Sequence, residues 1–337
     1  MRKLQNTLYI TTQGTYLHKE RETLVVEREC KKIAQLPVHA IGHIFCFGNV
    51  LVSPYLMGFC GENGVNLAFF SENGRFQARV QGRQSGNILL RRAQYRLSEH
   101  NPVPIARNII AAKIQSAKRV LQRQLRKSEH CLPLAEAVDA LNAALRRLKR
   151  AESLDVVRGI EGDAAARYFG VFGHLLAENC EFAFHGRSRR PPRDEINALL
   201  SLLYSVVGKE ISGALQGVGL DPQAGFLHAD RPGRDSLAQD ILEEFRAWWI
   251  DRLVLSLMNR RQFKPNDFIT ETSGAVRLKD DARKRLFQAL QNKKQEKITH
   301  PFLQEEVEIG LLPHIQAMLL ARHLRGDLAE YPPFLMR

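Results

Sequence analysis

Hydrophobic and polar positions alternate in short runs along the first part of the chain. The segments TLYITT, TYLHKE and TLVVERE have this period of two, and turn residues separate them. Asn73-Gly74 lies at the centre of VNLAFFSENGRFQARV. Because Asn-Gly readily adopts the positive φ angles of a tight two-residue turn, this segment predicts a β-hairpin. The pattern therefore predicts a small β domain over residues 1–86.

After about residue 86 the apolar spacing becomes helical. Helical segments with brief loops continue to about residue 325, so we predict an α+β fold with a larger all-α-helical domain over residues 101–337 and a connecting segment over 87–100. The segment PIARNIIAAKIQSAKRVLQRQLRK shows the spacing most clearly. One stripe of this predicted helix carries Ile110, Ile114, Ala117, Leu121 and Leu125.

The stretch from Ile33 to Gly61 has no Lys, Arg, Asp or Glu, and it is interrupted by glycine, proline and asparagine. This punctuation favours buried strands and turns over a membrane-spanning helix. The N-terminus has no apolar core typical of a secretory signal. The cysteines number 5, an odd count, and none has the C-x-x-C spacing. We therefore expect a cytoplasmic protein with no membrane partner, no disulfide framework and no zinc knuckle.

Positive charge is in excess and unevenly distributed. There are 49 Lys and Arg residues against 36 Asp and Glu residues, giving a net charge of +13. This balance favours a polyanionic partner, nucleic acid first and an acidic membrane surface second. The segment from Arg83 to Lys127 contains a single acid, Glu99. It is either a solvated helical face or a surface that follows phosphates, and in the second case Arg119 and Arg123 would bind DNA.

A histidine precedes two acids in GFLHADRPGRDSLAQDILEEFR. A helix is expected to begin at Ser236 and to continue through SLAQDILEEFRAWWIDRLVLSLMNRR, with a capping box formed by Ser236 and Gln239. Asp240 and Glu243 are three residues apart and share a face of this helix. Carboxylates beside His228 could bind a divalent cation, and the imidazole shifts the preference toward Mn²⁺ while leaving Mg²⁺ possible. Alternatively, the acids are surface charges near a helix N-terminus.

A third acid, Glu161, falls on the apolar face of DVVRGIEGDAAARYFGVF, in line with Val157 and Tyr168. A charge there needs a partner, which could be a cation or one of the nearby arginines, Arg158 or Arg167. If Glu161, His228 and Glu243 meet in space, they form a metal site of three ligands with open positions, as phosphodiester chemistry requires.

Three ordered segments, RGIEGDAAARYF, RRPPRDEINALLSLLYSVV and GFLHADRPGRDSLAQDILEEFR, resemble the CRISPR-associated integrase family, whose members insert new spacers. The resemblance implies a metal-dependent DNA endonuclease and integrase with a β-sandwich-like N-terminal domain and a helical catalytic domain. It implies that Glu161, His228 and Glu243 bind Mg²⁺ or Mn²⁺ and that Asp240 supports them. It places a further group beside the active site, where we expect it to bind DNA, namely Arg189, Arg190, Asn197, Ser201 and Tyr204.

The resemblance also implies partners. They are a pre-spacer DNA duplex and the CRISPR repeat, a second copy of the chain held through the β domain, and a dimer of the small second CRISPR-associated protein. Glu195 and Ala247 stand where the family often has proline, which puts the local substrate fit in doubt. Two other functions remain open, a stand-alone metal-dependent repair nuclease and a non-catalytic DNA-binding scaffold.

Overall fold

The computed structural model describes residues 5–82, 88–127 and 131–336. These residues form two compact units. Within the described ranges, the first unit takes in residues 5–82, 278–297 and 308–311, and the second takes in 88–127, 131–277, 298–307 and 312–336. The chain therefore enters the first unit three times. Arg83, the first residue of the basic segment, lies outside the described residues.

Strands dominate the N-terminal part of the first unit. In chain order these elements are β1 Asn6–Ile10, β2 Thr15–Glu20, β3 Thr23–Arg28, β4 Lys31–Pro37, β5 Ile41–Phe47, β6 Val50–Val52, helix α1 Pro54–Asn63, β7 Asn66–Phe70 and β8 Phe76–Arg79. They build two four-stranded sheets, with strand orders β1-β5-β7-β8 and β4-β3-β2-β6. Ile44 and Leu67 of one sheet and Leu17 and Leu24 of the other belong to one buried cluster. This shared core confirms the sandwich-like expectation.

The uncharged stretch from Ile33 to Gly61 contains strands, as predicted, but its last part is helix α1. Ser53 caps this helix by accepting a hydrogen bond from the Leu56 amide at 3.2 Å, and Pro54 occupies the first turn. Serine at the cap followed by proline is a typical helix start. The prediction of only strands and turns over this stretch was therefore wrong for its last part.

The hairpin predicted around Asn73-Gly74 is present, with β7 and β8 antiparallel and Phe70 opposite Phe76. The prediction of a two-residue turn was wrong. The Gly74 amide donates to the Ser71 carbonyl at 2.9 Å, and Gly74 has a φ of 79°. The loop is therefore a turn followed by a left-handed glycine, the arrangement of a longer hairpin loop.

The remaining elements are mostly helical. They are α2 Ile88–His100, α3 Val103–Leu125, α4 Leu132–Leu148, α5 Leu154–Gly170, α6 Glu195–Gly217, α7 Ser236–Phe245, α8 Arg252–Asn259, β9 Phe268–Thr270, β10 Val276–Leu278, α9 Asp280–Gln295, β11 Lys297–Thr299, β12 Glu306–Glu308 and α10 Leu312–Leu324. Helix α2 occupies most of the segment expected to be a connection. Helix α9 is part of the first unit, although it lies within the predicted range 101–337.

Helix α3 is the central helix of the second unit and packs against α4, α5 and α7. Its predicted stripe is buried at Ile110, Ile114, Ala117 and Leu121. Leu125, in the last turn, is half-buried. The buried stripe holds α3 across the helices that carry the candidate ligands.

The segment after Ser236 differs from prediction in two ways. Asp235, not Ser236, is the N-cap residue of α7, and the Ser236 hydroxyl donates to the Ala229 carbonyl at 3.2 Å, so the predicted capping box was wrong. The expected long helix is also interrupted, because residues 246–251 form a π-helical turn between α7 and α8. Such turns are rare and recur at functional sites.

Helix α6 is long and apolar enough to cross a membrane by length and composition, but 72% of its most apolar window is buried inside the protein. Burial of this kind is typical of a core helix in a soluble protein. Asp194 caps it by accepting a hydrogen bond from the Asn197 amide at 2.7 Å.

Candidate active site

Two of the predicted ligands, Glu161 of α5 and Glu243 of α7, converge on one side chain, Lys113 of α3. The Lys113 ammonium forms ion pairs with Glu161 Oε1 and, at 2.7 Å, with Glu243 Oε2. The third predicted ligand, His228, has its Nε2 atom 3.9 Å from Glu243 Oε1. Glu161 and Glu243 thus share one cation, and His228 lies beside the other carboxylate oxygen of Glu243.

The loop that carries His228 is held by Asp240, which is fully buried in α7. Asp240 Oδ2 accepts from the Phe226 and Leu227 amides at 2.6 and 3.0 Å, and Oδ1 accepts from the His228 amide at 3.0 Å. The His228 Nδ1 atom lies 2.6 Å from Oδ1. Because a carboxylate accepts here, Nδ1 carries the proton and Nε2, directed toward Glu243, is left with its lone pair.

Close packing also explains the glycine that begins this loop. A Cβ at position 225 would lie 2.9 Å from Asp240 Oδ2 and 2.9 Å from the Cβ of Ser236. Only glycine allows the loop to approach α7 closely enough for Asp240 to bind three consecutive amides.

Glu243 is buried and ionised. Burial raises the pKa of its carboxyl, but the positive charges of Arg246 and Lys113 outweigh burial and lower the pKa to about 2. Arg246 Nη2 lies 3.2 Å from Glu243 Oε1. The carboxylate is therefore held as an anion, the form in which it would bind a metal ion.

Glu161 lies at the edge of the buried face of α5, and 27% of its side chain is exposed. Neither arginine considered from the sequence pairs with it. Arg158 donates to the Leu227 carbonyl at 2.8 Å and pairs with Asp155 at 3.2 Å, while Arg167 lies 3.7 Å from Asp163. Glu161 pairs instead with Lys113, which belongs to helix α3.

These donors are of the right chemical kind for a divalent cation. Two carboxylates and one imidazole nitrogen suit Mn²⁺ or Mg²⁺. The Lys113 ammonium already lies where both carboxylates point, so the two acids favour a cation at this position. Over the described ranges, however, no three His, Cys, Asp or Glu side chains form a ready metal cluster, because the Lys113 ammonium separates the two acids.

A buried polar network lies behind Arg246. The Arg246 guanidinium is 4.8 Å from the centre of the Tyr204 ring. Both Tyr204 and Tyr168 donate hydrogen bonds to Asp251, which ends the π-helical turn. Burial raises the pKa of Asp251 to about 6, although the tyrosine hydrogen bonds and the charges of Arg246 and Arg187 oppose the rise. The network holds Arg246 beside Glu243.

A second buried acid, Glu244, fastens the C-terminal tail to α7. It accepts hydrogen bonds from the Tyr331 hydroxyl at 2.6 Å, the Phe334 amide at 2.7 Å and the Gln316 amide group at 2.9 Å. Burial raises the pKa of Glu244 to about 7, and these hydrogen bonds oppose the rise. The residue next to Glu243 is therefore fixed from the opposite side of the helix.

The residues expected to bind DNA have different environments. Arg123, Arg189 and Arg190 are exposed and Arg119 is half-buried. Ser201 is half-buried and accepts from Arg187 at 3.2 Å.

Asn197 and Tyr204, by contrast, are buried. The Asn197 side chain binds Arg187, the Gly186 carbonyl and Asp194, and the Tyr204 hydroxyl binds Asp251. Their polar groups are therefore used inside the protein, which differs from the expectation that they contact DNA.

Two open clefts each include one of the candidate ligands in their lining. One, of about 510 Å³, is lined by His228 together with Tyr95, Arg158 and Arg231. The other, of about 420 Å³, is lined by Glu161 together with Arg187 and Arg189, and its wall includes Gly162, Ala165 and Ala166. Each of these clefts therefore combines one candidate ligand with arginines.

Sequence reasoning missed Lys113, Arg246, Asp251 and Glu244. Lys113 was only one of many basic residues in the segment expected to face phosphates, and no local signal separates it from the others. Arg246 could have been noticed, because it lies one helical turn after Glu243. Asp251 and Glu244 showed no pattern beyond being acids in an apolar segment.

Comparison with known proteins places the chain in a family. The family model described as CRISPR associated protein Cas1 matches residues 8–292. A relative from Chlorobaculum tepidum, named CRISPR-associated endonuclease Cas1 1, is 48% identical over 343 residues and is covered in full, as is this chain.

Solved structures show the same fold. A casposase bound to an integration product has a TM-score of 0.85 at 22% identity, with 99% of this chain and 95% of that chain covered. A Cas6-RT-Cas1–Cas2 complex has a TM-score of 0.83 at 22% identity, with 99% of this chain and 36% of that chain covered.

These matches define the class, that of the endonucleases and integrases of CRISPR adaptation. The chain belongs to the Cas1 family of CRISPR-associated proteins. That family is metal-dependent.

Proposed function

We propose that this chain inserts short DNA segments into a CRISPR array, using one divalent cation held by Glu161, His228 and Glu243. The observation that carries the proposal is the convergence of Glu161 and Glu243 on one cation, with His228 Nε2 3.9 Å from Glu243 Oε1. The ion is Mg²⁺ or Mn²⁺. When bound, it would polarise a phosphoryl oxygen and lower the pKa of the attacking hydroxyl.

The protein's own groups prepare the site. Asp240 keeps the proton on His228 Nδ1, so that Nε2 remains available as a ligand. Arg246 holds Glu243 in its ionised form, and its guanidinium would stabilise negative charge that develops on a phosphate bound at this site. Asp251 and Tyr204 are positioning residues, because they act through Arg246.

Integration is a transesterification in which the 3′ hydroxyl of a DNA end loses its proton and attacks a phosphodiester of the target. A new P–O bond forms, the bond from phosphorus to the 3′ oxygen of the target strand breaks, and that oxygen leaves as a hydroxyl after taking up a proton. Two DNA segments must therefore meet at one centre. The two clefts that reach His228 and Glu161 satisfy this requirement, and arginines line each of them. We assign one cleft to the incoming end and the other to the target strand. If water replaces the hydroxyl, the same site nicks DNA.

The partners follow from the comparisons and the charge. Structures with this fold include one bound to an integration product and one in a complex with Cas2. We propose that this chain binds a pre-spacer duplex and the CRISPR repeat, forms a homodimer through its β-rich unit, and assembles with a dimer of the small partner Cas2. Exposed Arg123, Arg189 and Arg190, with half-buried Arg119, are proposed to contact phosphates.

A strand-transfer assay tests the proposal. Wild-type protein with its small partner should join a labelled pre-spacer to a supercoiled plasmid that carries the repeat, in Mg²⁺ or Mn²⁺. Glu161→Ala should abolish both joining and nicking, because it removes a ligand. If Glu161→Ala nicks as well as wild type, the site assignment is wrong. If joining proceeds equally without the small partner, the chain acts as a stand-alone nuclease or integrase.

A further inference from the structure

The position of Lys113 is unusual for a basic residue of a nucleic-acid-binding protein. Its side chain is only 12% exposed, and its ammonium lies between Glu161 Oε1 and Glu243 Oε2. Helix α3 contacts both α5 and α7, the helices that carry these acids. Lys113 therefore faces the two candidate metal ligands and not the open protein surface.

The charges explain why a cation is required at this point. The side chain of Glu243 is only 3% exposed and Glu161 reaches the same ammonium, so two carboxylates would repel each other if nothing positive lay between them. Arg246 contacts Glu243 Oε1, on the other side of that carboxylate. Lys113 is thus the cation that joins the two acids.

A lysine ammonium and a divalent ion cannot occupy the same place. The oxygens that contact Lys113 belong to two of the three proposed metal ligands, and a divalent ion at the centre needs these same acids. The lysine stem is long and flexible, so its ammonium can leave without a change in the helix.

We propose that Lys113 is a built-in counter-cation, which occupies the ion's place in the metal-free protein, keeps Glu161 and Glu243 together, and is displaced when a divalent ion binds. This inference rests on the proposed function, since it assumes that the two acids are metal ligands. Lys113 is then a positioning residue. It holds Glu161 and Glu243 together for the ion and competes with that ion for the same two acids.

Removal of Lys113 should change the affinity for Mn²⁺ in opposite directions under the two possible roles. The affinity should rise if Lys113 competes with the ion and fall if Lys113 only supports the site. Lys113→Met removes the competitor and leaves two buried acids without their shared partner in the metal-free protein. Both effects favour the metal-bound state, so Mn²⁺ should bind at least about tenfold more tightly than to wild type. A lysine that only builds the site would show the opposite, weaker binding on its removal.

The measurement is a Mn²⁺ titration followed by the electron paramagnetic resonance signal of the free ion, together with the unfolding midpoint in EDTA and in Mn²⁺. Lys113→Met should have a lower midpoint than wild type in EDTA and gain more from Mn²⁺. Lys113→Arg keeps the charge and should bind Mn²⁺ within about threefold of wild type. Lys118→Met is the matched control, because Lys118 is on the same helix but contacts Asn142 at 3.1 Å, and its affinity should be unchanged.

Equal or weaker Mn²⁺ binding by Lys113→Met would overturn the inference, and so would a Lys113→Met protein that fails to fold even in Mn²⁺. A Lys113→Met protein that folds only with Mn²⁺ supports it. Glu161→Gln separates this inference from the proposed function. If wild type binds Mn²⁺ and Glu161→Gln does not, the metal site stands whatever Lys113 does, whereas equal binding by both refutes the metal site itself.

Discussion

At the scale of single residues, the acids of this protein have roles that depend on what surrounds them. Glu243 is ionised because cations outweigh burial, whereas Glu244, the next residue, has its pKa raised because burial dominates. Asp240 bonds to three amides and an imidazole. Glu161 could be recognised from the sequence as a charge on an apolar face, but its partner Lys113 could not, because only the packing of α3 against α5 brings them together.

Asp240 should matter through His228. In Asp240→Asn, an amide nitrogen would face backbone N–H groups, so the loop from Phe226 to His228 should loosen. We expect nicking in Mn²⁺ to fall by roughly 10- to 100-fold and the free energy of unfolding to drop by about 1–3 kcal/mol. Asp230, two residues after His228, is exposed and provides the control. Asp230→Asn should behave as wild type, and loss of activity in this variant instead would reverse the assignment.

Asp251 should make stability depend on pH. Its pKa is about 6 in the folded protein and about 3.8 when unfolded, so the folded state retains the proton more strongly. Its contribution is therefore fully present below pH 3.8 and is lost as the pH rises toward 6, by on the order of 3 kcal/mol. Urea unfolding of wild type and Asp251→Asn from pH 4 to 7 measures the difference. The stability of wild type relative to the variant should fall over this window, and a constant difference would contradict the prediction.

At the scale of elements, the spacing of apolar residues along the chain predicted the helices but not the connections between them. The segment after Ser236 was expected to form one long helix, and it contains a π-helical turn over 246–251. This turn begins with Arg246 and ends with Asp251, so it places the guanidinium beside Glu243 and the carboxylate behind Tyr204. Hydrophobic spacing could not predict the interruption, because buried residues continue through it.

The contact between the histidine loop and α7 gives an element-scale prediction. Gly225→Ala places a methyl group 2.9 Å from the Asp240 carboxylate, so the loop must shift. Unfolding free energy should drop by roughly 1–3 kcal/mol, and Mn²⁺-dependent nicking should drop with it. Gly159→Ala on α5, where an added Cβ meets no atom within 4 Å, should stabilise the protein by about 0.5–1 kcal/mol. Equal stability of the two variants would show that the loop is not tightly packed.

At the scale of the whole molecule, the net charge of +13 predicted a polyanionic partner, and family membership agrees with this expectation. Composition could not show which cations face DNA. Lys113, from the most basic segment, points into the active site, whereas Arg189 and Arg190 are exposed. The net charge therefore indicates the kind of partner. The structure is needed to show which basic side chains lie on the surface and which lie at the candidate active site.

DNA affinity should fall steeply with salt. Arg189→Gln and Arg190→Gln should each weaken binding regardless of sequence and reduce the slope of log affinity against log salt by about 1. Arg325→Gln is a suitable control, because Asp327 already neutralises Arg325 at 3.0 Å. Fluorescence anisotropy over a range of salt concentrations measures the slopes. An unchanged slope for both arginine variants would remove these residues from the DNA-binding surface.

The central claim is that Glu161, His228 and Glu243 share one divalent ion. The most direct measurement is the anomalous scattering of manganese in crystals grown with Mn²⁺. We predict one peak about 2.0–2.3 Å from a donor atom of each of these residues, with the Lys113 ammonium no longer between the two carboxylates. A peak elsewhere, or these side chains unchanged around Lys113 in saturating Mn²⁺, would contradict the account.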